Sequence, residues 1–215
     1  MKTLTKYLNE KLVIFPSRVD EKSSIFPSQV DEKLVINKDY KNPYTFVPGT
    51  GVELRKIIKD RYKKLGAGTK QKPINFNDID VSNIDSFCNN GISIFENAKF
   101  EYIDISDWDV SNVKYMNMTF YSCKKLKSIG DISDWDVSNV KNMVGMFYKC
   151  KQLKSIGDIS YWDVSNVKDA TAMFFGCEQL KSVGDLSNWD VSNVKYMNNM
   201  FKESGITNIP KWYKE

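Results

Sequence analysis

WDVSNVKNMVGMFYKCKQLKSIGDIS, residues 135–160, decides the fold because the chain keeps writing it. Trp108, Trp135, Trp162 and Trp189 are each 27 residues apart, and Cys123, Cys150 and Cys177 keep the same interval. The hexapeptide Trp-Asp-Val-Ser-Asn-Val recurs at 108–113, 135–140, 162–167 and 189–194. A degenerate copy, Asp80-Val81-Ser82-Asn83-Ile84, opens the series, and a partial copy ending in Met200-Phe201 closes it. Self-similarity at a fixed period of this size is the mark of a stacked-repeat architecture.

The chemistry of one unit shows why it needs neighbours. Asp136 or Ser138 has the short oxygen-bearing side chain that caps a helix start. Val140, Met143, Met146, Phe147 and Cys150 follow at a spacing that predicts one apolar helix face. After Leu153, Ile156 and Ile159 then fall on a short segment, 155–160, interrupted by Gly157, which reads as a brief strand. Each unit is thus expected to run strand, turn with Trp, helix. It has apolar groups on both elements and cannot bury them alone. Stacking solves this, with strands pairing in parallel about 4.8 Å apart and helices forming the second layer. The expected fold class is α/β: a right-handed leucine-rich-repeat solenoid, parallel strands on one face and helices on the other, since 27 residues falls within that repeat's range.

The motif WDVSNV…MF..C..L, over about residues 78–210, resembles the BspA-like leucine-rich-repeat surface proteins, a type also found as repeats in mycoplasma surface lipoproteins. The resemblance implies a right-handed solenoid and, in some members, adhesion to host or neighbouring-cell proteins. It also implies a cell-surface or virion location. The sequence as written shows no leader: the longest apolar run near its start is Leu12–Phe15, short of the about 7–15 residues of a signal peptide and the about 20 of a membrane span. On that ground the expectation is a cytoplasmic chain without a membrane span. The segments EKLVINKDY, YTFVP and ELRKII resemble small uncharacterised proteins of gut bacteria and their phages.

Three regions follow: an arm at 1–43, a capping helix with linker at 44–77, and the repeat array at 78–215. The arm carries an 11-residue tandem duplication, with Glu10-Lys11, Glu21-Lys22 and Glu32-Lys33 in phase and Ile-Phe-Pro-Ser at 14–17 and 25–28. Its prolines argue against a helix. It reads as a duplicated, loosely docked segment or as a peptide that docks on a partner through Ile14-Phe15 and Ile25-Phe26. Further on, Thr50-Gly-Val-Glu53 is a capping box. Leu54, Ile57, Ile58, Tyr62 and Leu65 make the apolar stripe of a helix that Gly66 stops. Arg55, Lys56, Lys59, Arg61, Lys63 and Lys64 crowd its other faces, either as solvated charges on a helix covering the array's end or as a surface for phosphates or anionic membrane.

Composition narrows the function. The 215 residues are 41% hydrophobic and 27% charged, as in an ordinary globular protein, and the net charge of +4 is too even to indicate nucleic acid as a partner. There is no histidine, which removes the commonest general base and metal ligand. No motif joins nucleophile, base and stabiliser, so no catalytic residues, metal or cofactor are expected, and a non-enzymatic role is. The Trp column reads as packing. The three repeat cysteines read as buried free thiols, because helices 8–10 Å apart hold Cα atoms beyond the about 7 Å that a disulfide tolerates.

The candidate binding residues come from alternation. If Ile105, Ile132, Ile159 and Leu186 point inward, Asp104, Asp131, Asp158 and Asp185 form one outward column on a concave strand face, and the serines two positions on form another. Stacked like charges repel, so Lys127, Lys154 and Lys181, amides in the Gly bend, a cation or a basic partner must offset them. The position before each Trp differs between units: Asp107, Asp134, Tyr161 and Asn188. These eight residues are the expected contact set for a protein partner. The alternative is a structural or display component of a phage or cell-surface assembly, attached through the arm.

Overall fold

The computed structural model describes Tyr44 and residues 46–214. The duplicated arm at 1–43, with its two Ile-Phe-Pro-Ser copies, lies outside the described residues. The first regular element is α1, Gly51–Leu65. Thr50 caps it by accepting from the Glu53 amide, and the Glu53 carboxylate reaches back to the Gly49 amide at 2.8 Å. Gly66 stops it at φ +79°, donating its amide to Tyr62 O. Leu54 and Ile58 are buried against the first unit of the array. Arg61 holds the helix there. It forks onto the Asp78 carboxylate, donates to Asn75 O at 2.6 Å and lies over the Phe46 and Phe76 rings. A residue that composition placed among solvated charges is therefore a docking contact, while Lys56, Lys59, Lys63 and Lys64 are exposed.

From there the chain stacks on itself in two parallel columns. On the first, β1 (Ile74–Asn75) pairs with β4 (Ile103–Asp104), and bridges continue from Tyr102 to Ser128 to Ser155. On the second, bridges run from Ser86 to Tyr115, Asn142, Asp169 and Tyr196. Only the first unit departs from this, with an antiparallel hairpin of β2 (Cys88–Asn89) and β3 (Ile92–Ser93).

The helical layer expected opposite the strands is not formed. Residues 144–149 are consecutive turns, and so are their counterparts in neighbouring units. The Met146, Tyr148 and Cys150 amides each bond three residues back, to Met143, Gly145 and Phe147. The intervening amides of Met143, Gly145, Phe147 and Lys149 point out of the unit, to the carbonyls of Asp169, Thr171, Met173 and Phe175. A helix needs all of these for its own i to i−4 bonds. Gly145 and Lys149, both at φ +56°, break the helical path twice. The apolar spacing of three, three, one and three is the spacing of turns rather than of a helix with 3.6 residues per turn.

Between the columns the core is a set of ladders. Phe95, Phe120, Phe147, Phe174 and Phe201 stack ring on ring, with centroids 5.1–5.8 Å apart. Trp108, Trp135 and Trp162 stack at 6.5 Å. Ile105, Ile132, Ile159 and Leu186 are buried beside them. Each neighbour supplies the other half of the site its side chains fill, so stability resides between units rather than within them.

Candidate binding face

The residues that every unit shares are committed to holding the stack. The indole N–H of Trp108 donates to Phe76 O, and those of Trp135, Trp162 and Trp189 donate to Ile105, Ile132 and Ile159 O. Asn112, Asn139, Asn166 and Asn193 give their side-chain amides to the serine carbonyl of the unit before, each at 2.8 Å. The thiols of Cys123, Cys150 and Cys177 donate to Phe95, Phe120 and Phe147 O at 2.9–3.0 Å. These cysteines are unpaired and buried, each directly after a run of turns rather than on a helix. Burial pushes the Cys177 thiol up to about 12 and the Cys150 thiol well above its ordinary value, because a thiolate there would lose its hydration.

The first predicted column, Asp104, Asp131, Asp158 and Asp185, stands at matching positions on the strand side. Asp104 is half-buried and the other three are exposed. Its repulsion is not met by the lysines. Lys127 pairs with Glu101 at 2.7 Å and Lys181 donates to Glu178 O. Instead each carboxylate turns back on its own loop, and Oδ1 accepts the amide of Ser106, Ser133, Ser160 or Ser187 at 3.0–3.1 Å. Such Asx turns are a standard use of Asp beside a bend. The bonds hold the Asp158 carboxyl, through the Ser160 amide first, and the Asp185 carboxyl, through the Ser187 hydroxyl first, below the usual carboxylate range. For Asp158 they outweigh the opposing field of Asp185. Among the described residues no cluster of three or more acidic or thiol groups is arranged to hold a metal ion.

The second predicted set, Asp107, Asp134, Tyr161 and Asn188, is exposed along its whole length. Asp107 accepts from the Ser106 hydroxyl, and its amide is held by Asn77. Asn188 ends a short 3-10 turn, Leu186–Asn188, started by Asp185. Tyr161 has 91% of its surface accessible. The structure thus brings the eight residues into two neighbouring columns.

A third column was missed. Tyr115, Asn142, Asp169 and Tyr196 occupy the bridges of the turn side, and both tyrosines are exposed. Its signal was present: the residue after the repeated lysine differs between units just as the residue before Trp does. Reading that segment as a helix hid the fact that these positions line up.

An array of this kind, units stacked in register with each shared polar side chain spent on its neighbour, defines a repeat-scaffold protein. The chain belongs to the family described as "Mycoplasma protein of unknown function, DUF285", whose model matches residues 65–182 and again 131–213. No curated protein and no solved structure matches the chain. No helix among the described residues is long and apolar enough to cross a membrane.

Proposed function

We propose that this chain is a non-enzymatic protein-interaction module, built as a leucine-rich-repeat-type solenoid of the BspA-like kind and binding a protein through the strand face and its adjoining turns. One observation carries the reading. The side chains shared by all units are consumed by the stack, whereas the exposed turn column changes from Asp to Tyr to Asn, and its Tyr161 is almost wholly in solvent. A tyrosine in that position stabilises no contact of its own fold, and exposed aromatics of this type are enriched among residues that dominate protein interfaces. In the Asp column beside it Oδ1 takes the Asx-turn bond, which leaves Oδ2 as an acceptor for a partner's Arg or Lys. A surface location accompanies the BspA-like likeness and is part of the same proposal.

The test is capture by the immobilised full chain from an extract of the source cells. A variant carrying Asp131→Asn, Asp158→Asn and Tyr161→Ala should lose the retained protein while keeping its unfolding midpoint, because exposed substitutions usually shift stability by under about 0.5 kcal/mol. The variant Lys56→Glu, Lys59→Glu, Lys63→Glu should retain it. Loss in the helix variant alone would instead favour an anionic-surface role for α1 and end the strand-face assignment.

A further inference from the structure

On the turn side the amides of Lys141, Lys168 and Lys195 donate back to the unit before, and the row of inter-unit bonds that follows each lysine points the other way. Met116, Met118, Phe120 and Ser122 donate their amides to the carbonyls of Asn142, Val144, Met146 and Tyr148. Met143, Gly145, Phe147 and Lys149 do so to Asp169, Thr171, Met173 and Phe175, and Ala170, Ala172, Phe174 and Gly176 to Tyr196, Asn198, Met200 and Lys202. Along this row each unit therefore faces the one before it with carbonyls and the one after it with N–H groups. In the last unit the equivalent amides are those of Met197, Asn199, Phe201 and Glu203, and among the described residues none has an acceptor. The segment that follows covers a different part of this end. Gly205 donates back to Cys177 O, and Trp212 places its indole on Leu186 O and its ring on Trp189. Beside the open row, Val191, Val194 and Met197 are only half-buried, although their counterparts Val164, Val167 and Ala170 are buried. With Met200 and Trp212 they line an apolar hollow.

We propose that this end is a docking edge for a polypeptide coil of the same repeat type carried by a partner protein, which supplies carbonyl oxygens at every second residue and apolar side chains for Val191, Val194 and Met197. An unpaired row of main-chain groups is a template for another chain. This row is donor-only, so its complement must be acceptor-only. That requirement excludes symmetric pairing of two copies through this end, which would set donor against donor. The opposite end of a second copy is covered by α1, through Leu54, Ile58 and Arg61. What fits is the acceptor edge of an uncapped repeat, as in every internal junction of this array. The inference is independent of the strand-face proposal.

The experiment is residue-resolved hydrogen exchange of the full 215-residue chain, with and without a synthetic peptide of the sequence of residues 168–194, which carries the required acceptor row. In the free chain the Met197, Asn199, Phe201 and Glu203 amides should exchange at least tenfold faster than those of Met143, Gly145, Phe147 and Lys149. Peptide should slow the first set tenfold or more, saturably, and a scrambled peptide should not. The variant Val194→Asp should abolish that slowing while leaving protection of the internal row unchanged. Three results would overturn the proposal: equal protection of both rows in the free monomer, protection that rises with protein concentration and so reports a second copy, or no response to the peptide at millimolar concentration.

Discussion

Each repeat passes through left-handed backbone once on the strand side and twice on the turn side, and the strand-side bend and the first turn-side one obey different rules. On the strand side Gly130, Gly157 and Gly184 have φ of +88°, +90° and +92°. On the turn side the equivalent position is Met118, Gly145, Ala172 and Asn199, at φ +54° to +58°. The backbone demand is similar, and an L-residue meets it at a cost of about 1–2 kcal/mol. The neighbours differ. A Cβ on Gly157 or Gly184 would overlap Oδ1 of Asp131 or Asp158, the atom that holds the Asx turn of the preceding unit. A Cβ on Gly145 would meet Tyr148 Cβ at 3.4 Å, an ordinary contact. Glycine recurs where a second atom forbids a side chain, and it gives way to Met, Ala and Asn where only the dihedral angle disfavours one.

Substitution at the crowded bend should have the largest effect. Gly157→Ala combines the left-handed penalty with expulsion of the Asp131 carboxylate from its bond to the Ser133 amide. The expected loss is about 2–4 kcal/mol, from the backbone term plus a broken charge-assisted hydrogen bond. Urea unfolding measures it. The double variant Gly157→Ala, Asp131→Ala should recover part of the loss, since the colliding atom is gone. No recovery would mean that the dihedral angle alone requires glycine at both bends.

Acid should attack the strand side from the carboxylate half of the same contact. Asp158, Asp163, Asp185 and Asp190 all have carboxyls held below their ordinary 3.8 by serine amides and hydroxyls two residues on. In the unfolded chain those bonds are absent, so between the folded and unfolded values the unfolded state binds more protons. The contribution to stability is complete above the unfolded value near 3.8 and is lost as pH falls through the lower folded values. Urea midpoints should hold steady from pH 7 to 5 and drop between about pH 4 and 2, with Ser160→Ala and Ser187→Ala flattening the drop. A midpoint unchanged down to pH 3 would show that the Asx turns do not distinguish folded from unfolded chain.

The sequence displayed the period, the units and the inward residues plainly, because a 27-residue echo with buried Trp, Phe and Cys columns needs no tertiary information. It displayed the two strand-side columns as well: alternation about Ile132 and Ile159 places Asp131 and Asp158, and the variation before each Trp marks Tyr161. The turn side was legible only in part. Met143, Met146, Phe147 and Cys150 suit one face of a helix and one wall of stacked turns alike. What separates the two is where the Met143 and Phe147 amides go, and their acceptors are 26 residues away, at Asp169 and Met173. Local pattern carries no record of such a partner. Lys149 at φ +56° was illegible for a related reason, since the neighbouring units enforce an angle that lysine does not prefer.

The smallest expected effects lie at the open bend, and they have opposite signs. Gly145→Ala should cost about 1 kcal/mol, the left-handed penalty less the unfolded-state entropy that alanine removes. Ala172→Gly reverses the exchange one unit along, at φ +54°, and should stabilise by about 0.5 kcal/mol. The pair shares one backbone geometry and one set of inter-unit bonds, from the amides of Gly145 and Ala172 to the carbonyls of Thr171 and Asn198 at 2.9 Å. Side-chain contacts therefore enter only through the single Cβ. If the open bend is governed by its dihedral angle alone, the two changes should oppose each other in the double variant and leave a net loss of about 0.5 kcal/mol, because the two positions share no side-chain partner. A Gly145→Ala loss as large as that of Gly157→Ala would erase the difference between the bends. It would locate an atom near the Tyr121–Tyr148 stack that resists the added methyl as strongly as Asp131 does.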